Sequence, residues 1–378
     1  MVKFMKKQFL YKIFFAAVIL VFAACKDPVY FNISEEEKML DPLIEGSPTN
    51  FVEFKDYMYV ASGMELYRYE GTNPTTGRGN WKESRPGGKI FTLAVTNNNF
   101  YALCLDSSSG KKTIKVFNES NGSWIDFNGY DDDHKIQEIA AAGDQLFVQA
   151  GDYGSYYILS SNNHKIIETA GYNMLNGAAY NSGYYFLSAK DQFIESGGNI
   201  YRIAEGNLSS GKAENAGSGP FVGIVNIGFG SNPVKAINRD GRIFNVTSES
   251  ISSTGTSMGN RLATGALAVW KKDGNLLLLA GRQDVLGTTV TSGYSYGYME
   301  VGLTGNGDIT GSLVEPGINS ISSVIQGDNG RYRSTIGRYP VNHIFQASDG
   351  TLFASTQTNG IYSYRDRKNI GLCWNAEE

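Results

Sequence analysis

The sequence is poor in the side chains that metal and redox centres need. Three cysteines and three histidines in 378 residues supply too few ligands for a multi-ligand zinc or iron–sulfur centre, and no cofactor is expected. Charge is sparse at 19% and does not lean basic. The 33 lysines and arginines face 37 acids, for a net charge of −4, so nucleic acid is not an expected partner. Helical periodicity is missing beyond two turns. Glu138–Ala142 comes nearest, and Gly143-Asp144 ends it. No phosphate-binding G-x-x-x-x-G-K-[ST] loop occurs. His134, His164 and His343 stand in separate segments without a motif around them, so no catalytic residue is assigned. The chain does have 45 glycines, 23 tyrosines, 20 phenylalanines and a hydrophobic fraction of 41%. That composition builds a sizeable core and excludes a disordered polymer.

The first residues read MVKFMKKQFLYKIFFAAVILVFAAC. Lys3, Lys6, Lys7 and Lys12 precede an uncharged apolar stretch at 13–24. This is the length of a secretory h-region, short of the roughly 20 residues a spanning helix needs. A retained helix would have to bury Lys12. Ala23 and Ala24 stand directly before Cys25. The arrangement resembles the lipobox of bacterial lipoproteins, with Phe22 where leucine is more usual. The resemblance implies that residues 1–24 are a signal peptide and that Cys25 becomes the acylated N-terminus. The protein would then be exported and held by lipid to a bacterial membrane, on the periplasmic side or the outer surface. An ordinary signal cut near Ala24 is the alternative. Losing residues 1–24 removes four lysines and no acid, taking the net charge from −4 to −8. An anionic membrane repels such a domain, so the acyl chains would have to do the anchoring. Cys104 and Cys373 sit in the apolar runs ALCLD and GLCWN. A disulfide and two buried thiols both remain open.

Residues 25–50 read as the acylated cysteine followed by an acidic tether carrying Glu35, Glu36 and Glu37. From Phe51 the texture changes. Apolar or alternating runs of five to eight residues are separated by Gly, Asn, Asp and Ser, which is a strand-and-turn signal. The runs recur as groups of four that start at Phe51, Ile90, Ile136, Leu175, Phe221, Ala263 and Val341, with spacings of 39, 46, 39, 46, 42 and 78. Five of these lie near the roughly 40–45 residues of a four-stranded propeller blade. The fold expected is all-β, a single β-propeller over 51–378. Seven four-stranded blades fit the spacings, and eight fit if the irregular insert around 301–340 is itself a blade. A solenoid or a pair of sandwiches is the competing architecture. Small residues in the first strands, such as Ala140–Ala142 and Gly177–Ala179, suit a crowded axis.

Asn342–Arg367, NHIFQASDGTLFASTQTNGIYSYRDR, resembles the repeat of two-component-regulator sensor propellers. A strand leads to Asp-Gly, an apolar strand ends in Thr, and Asn-Gly precedes an aromatic strand. Lipobox, tether and propeller together resemble exported β-propeller lipoproteins of bacteria. That resemblance implies a binding or scaffolding module whose partner is an envelope protein or glycan.

Two segments depart from the repeat and are the candidate ligand-binding residues. Tyr294, Tyr296 and Tyr298 alternate, which in a strand puts them on one face. Arg331, Arg333 and Arg338 form a basic patch with Tyr332 and Tyr339, suited to forked bonds with carboxylates. Asp131-Asp132-Asp133-His134 reads as a solvated turn, and Asn306–Gly311 as a hairpin turn. The latter lacks the glutamate that closes a calcium loop, since Gly317 stands at the twelfth position. No metal site is assigned. The alternative function is a carbohydrate-active propeller, a glycoside hydrolase or lyase working through carboxylates around the central funnel.

Overall fold

Short apolar runs between glycine turns cannot close a helix, and they pair with their chain neighbours as antiparallel hairpins. The computed structural model describes residues 43–377, apart from 74–78, 128–134, 151–154, 161–162, 168–173, 190–197, 211–213, 249, 260, 273, 284–296, 315–335, 337–338 and 368–370. The first sheet is β1 (Val52–Phe54), β2 (Tyr57–Ser62), β3 (Glu65–Thr72) and β4 (Gly79–Ser84), in that order. The second is β5 (Lys89–Val95), β6 (Phe100–Leu105), β7 (Lys112–Asn118) and β8 (Ser123–Asp126). The third is β9 (Ile136–Ala142), β10 (Gln145–Ala150), β11 (Ser155–Ser160) and β12 (Asn163–Ile167).

The next sheet has seven strands: β13 (Met174–Tyr180), β14 (Tyr184–Ala189), β15 (Gly198–Ile203), β16 (Glu214–Asn226), β17 (Val234–Asn238), β18 (Arg242–Val246) and β19 (Ile251–Ser257). Its middle strand does two jobs. The first half of β16 pairs with β15, the second half pairs with β17, and the register breaks around Pro220, which has no N–H to offer a ladder. Divided there, the sheet is two four-stranded units. Two further sheets follow, β20 (Leu262–Lys272) to β23 (Ile309–Val314) through β21 (Asn275–Gln283) and β22 (Gly297–Leu303), then β24 (Val341–Gln346) to β27 (Gly371–Ala376) through β25 (Leu352–Thr356) and β26 (Ile361–Arg367). The described strands thus group as seven units of four.

Seven apolar clusters join these units in a ring. In the second unit Phe100, Ala102 and Cys104 face Phe54, Tyr59 and Leu66 of the first. The alternate residues Tyr101 and Leu103 face Ile139, Leu146 and Val148 of the third. A strand covered on both faces reads as an unbroken apolar run, as FYALCL does. Successive clusters continue around the molecule, and the seventh unit packs Phe353 and Ile361 on Met58, Val60 and Tyr69 of the first. Each fully buried Phe or Leu contributes about 1.5–3 kcal/mol. Among the described residues the one helical element is a 3-10 turn, Glu205–Ser210.

Two boundaries move relative to the sequence expectation. The tether ends before residue 50. Ile44 is fully buried among Phe51, Phe353 and Ile361, and the Asn50 amide brackets Leu93, giving 2.7 Å to its oxygen and accepting at 3.0 Å from its nitrogen. Val301–Val314 belongs to the sixth unit, supplying the end of β22 and all of β23. Glycine is required where inner strands meet. A Cβ on Gly223 would run into the carbonyl oxygen of Gly265, and one on Gly265 (φ +100°) would meet that of Val222.

Closure is pinned by one acid. Glu377 is fully buried beyond β27, and its Oε2 accepts from Trp81 Nε1 at 2.8 Å and Gly79 N at 3.1 Å, both on β4 of the first unit. Its Oε1 accepts from Ser363 Oγ, with Arg365 Nε 3.8 Å away. Glu377→Ala should lower the unfolding free energy by about 3 kcal/mol, since buried donors lose their charged acceptor. The check is a urea titration at unchanged slope, with Glu377→Gln losing less.

Candidate functional site

The inner strands β1, β5, β9, β13, β20, β24 and the second half of β16 pair on one side only, leaving their other edges toward the axis. Together they line a channel of about 1070 Å³. Most of its wall is small or aliphatic, including Ala94, Ala140, Ala178, Val222 and Gly223. Side-chain bonds stitch neighbouring units around the channel. Thr92 Oγ1 donates to Glu138 Oε1, Gln149 Oε1 accepts from Leu175 N at 2.9 Å, and Thr264 Oγ1 donates to Val341 O at 2.5 Å.

Five ionisable residues interrupt the apolar wall: Glu53, Lys89, Glu138, Arg239 and His343. Glu138 Oε1 also accepts from Ile139 N at 3.0 Å, and burial pushes its carboxyl up against those bonds. Glu53 is raised as well, by burial first and then by Asp56. His343 is surrounded by protein yet opens on the channel, and burial drives its imidazole down to about 4. It is therefore neutral at physiological pH. Register partners fix which end of the channel is which. Lys89 is paired with Leu105 and through it with Lys112. Leu262 is paired with Gln283, Phe221 with Asn238, and Arg282 with Gly297. The first residues of the inner strands thus share a rim with the ends of the second strands and the starts of the third. Lys89 and Arg239 stand at this rim, and Glu53 lies toward the opposite end.

The sequence candidates divide. Tyr298 is fully buried in β22, where its hydroxyl accepts from Trp374 Nε1 at 3.2 Å within the cluster between the sixth and seventh units. It is a packing residue, because β22 is an interior strand covered on both faces. Tyr294, Tyr296, Arg331, Arg333 and Arg338, like Cys25 and Asp131–His134, lie outside the described residues. Their segments join described strand ends at the rim just defined: Gln283 to Gly297, and Val314 to Val341. Asn306–Gly311 covers the hairpin turn joining β22 to β23, where Thr304 N donates to Asp308 O at 2.9 Å. Among the described residues no His, Cys, Asp and Glu cluster forms a metal site. Cys104 is a free buried thiol pushed up to about 11 by burial. The Cys373 side chain is outside the described set. The pentapeptide Gly255–Gly259 has the G-x-S-x-G form, but it ends an outer strand, β19, with no helix after it, so it is no nucleophile elbow.

Sequence reasoning passed over Lys89, Glu138 and Arg239. The available signal was a charge at the head of an apolar inner strand, as in GGKIFTLAV, or inside one, as in IQEIAAA.

No family model matches the sequence, and no curated protein sequence matches it. Solved structures do. The extracellular domain of a hybrid two-component system from B. thetaiotaomicron is 15% identical with a TM-score of 0.55, over 86% of this chain and 39% of that one. This chain thus spans about two fifths of that protein's length. The WD40 β-propeller domain of Doa1 is 8% identical with a TM-score of 0.51, over 88% of this chain and 97% of that one. At such identities the likeness is one of fold, and the fold is a β-propeller.

His343 generates a pH prediction. An unfolded imidazole takes its proton near 6.5 and the folded one near 4. The unfolded chain binds the extra proton between those values, so this group's contribution is complete above about 6.5 and is lost as pH falls toward 4. The raised carboxyls of Glu53 and Glu138 act in the opposite direction, and comparing variant with wild type cancels them. Urea midpoints of His343→Gln should fall less steeply than wild type across this window.

Proposed function

We propose that this protein is a lipid-anchored module of the bacterial cell envelope that presents one rim of a rigid propeller to a protein or glycan partner. The observation that carries the reading is convergence. The connector bearing Tyr294 and Tyr296 and the connector bearing Arg331, Arg333 and Arg338 both join strand ends at the rim where Lys89 and Arg239 stand. They are the longest connectors between described strands, one within the sixth unit and the other joining it to the seventh. Seven mutually packed units hold those strand ends in place, so binding there loses little loop entropy. The likeness to an extracellular domain of a two-component system supports an exported setting, and the lipobox at Cys25 supports a lipid anchor facing the periplasm or the outer surface. The contact residues in this reading are Tyr294, Tyr296, Arg331, Arg333 and Arg338. Tyr298 acts from the core by fixing β22.

A second reading has one observation behind it: two carboxyls, Glu53 and Glu138, line the channel with raised pKa values, as hydrolysis or elimination on a carbohydrate requires. The two readings separate experimentally. Changing Arg331, Arg333 and Arg338 to Ala should reduce capture of envelope fractions at least about tenfold, the loss expected when charge-assisted bonds are removed. Unchanged capture would remove the arginine assignment. Release of reducing or unsaturated sugar ends that stops in Glu138→Gln would favour the enzyme.

A further inference from the structure

Two cations at the mouth of the channel, Lys89 and Arg239, have no ion-pair partner among the described residues. Lys89 heads β5 in the second unit, and Arg239 follows β17 in the fifth, about halfway round the ring. Lys112 stands in the same row as Lys89, and both ammonium groups lie over the Phe91 ring, at 4.4 and 5.4 Å from its centroid. Lys112 is held there by donating to Gln137 O at 2.7 Å. Phe91 itself lines the channel.

Among the described acids that line the channel, none forms an ion pair with Lys89 or Arg239. Glu53 is toward the far end, Glu138 is tied through Oε1 to Thr92 and Ile139 N and attracts Lys112 rather than Lys89 or Arg239, and His343 is neutral. Asp240, beside Arg239, is exposed and does not line the channel. The chain is acidic as a whole, at −4, so a positive mouth is a local arrangement against the general charge. Below the mouth the wall combines aliphatic side chains with the unpaired edges of the inner strands, whose N–H and C=O groups alternate along each edge.

We propose that the channel mouth binds a carboxylate-bearing oligosaccharide. Lys89 and Arg239 would receive its carboxylates, and the strand edges would take its hydroxyls. This deepens the envelope-binding reading and rests on it for the choice of rim.

The test is calorimetric titration of the full chain with trigalacturonate and, separately, with galactotriose, its neutral counterpart, and with pentaglutamate. Trigalacturonate is expected to bind and galactotriose not to. Affinity should fall at least about tenfold in the double variant Lys89→Ala, Arg239→Ala, and should weaken on raising salt from about 20 to about 200 mM. Thermal melting of the double variant confirms that it is folded. Binding of neither sugar, equal binding of both, or full affinity in the double variant overturns the proposal. Binding of pentaglutamate in place of trigalacturonate overturns it in favour of an acidic peptide. Capture of envelope fractions by the double variant tells the two readings apart. If capture persists while no sugar binds, the rim reading stands and the channel proposal fails. If trigalacturonate binds while the arginine variant captures normally, the channel proposal stands and the arginine assignment falls.

Discussion

Interior strands with two apolar faces govern this molecule. Phe100 and Tyr101 are chain neighbours, yet one is buried against the first unit and the other against the third. A lone sheet of four strands would leave both of those faces in water, at a cost of about 1.5–3 kcal/mol for each large side chain. Stacking moves that problem to the next unit, and a linear stack would leave it at both ends. The ring removes the ends. The packing of Phe353 and Ile361 on Met58 and Val60, with Glu377 bonded to Trp81 and Gly79, is where the first and last units cover each other.

The same constraint produces the channel. Inner strands are tied to one another by contacts through their faces and by side-chain bonds such as Asn50 with Leu93, so their free edges are left around a common axis. Where two strands come closest, as at Gly223 and Gly265, no side chain fits between them. Polar residues are tolerated on the wall because the channel supplies water or a protein partner. Glu138 takes the partner, and His343 gives up its charge. Lys89 and Arg239 keep theirs at the open end.

Much of the fold was legible because the interior strands have no alternative. YMYVAS and IQEIAAA coincide with β2 and β9 from end to end, since their apolar runs are bounded by turn residues on both sides. Outer strands were harder. ISSTGTS of β19 buries only Thr256 fully and has no alternation and a single aliphatic residue, Ile251. β16 hid for another reason: its two halves serve different units, and the Pro220 between them looks like a terminator. The site was less legible still. The channel draws its residues from segments spread along the chain, and a lysine at the head of a strand looks like any solvated flank until the ring brings Arg239 to the same opening. Tyr298 shows the converse. Its ring packs on Trp374 of the seventh unit, a contact that no local spacing reveals.

Closure between Trp81 and Glu377 joins positions 296 apart in the chain. During synthesis the first sheet emerges with Met58, Val60 and Phe51 prepared for a neighbour that has not yet been made. Six further units must be produced before that surface finds its cover. A nascent chain in that state is a target for chaperones and for aggregation. Its safe passage depends on how long translation keeps the two flanks of the gap apart.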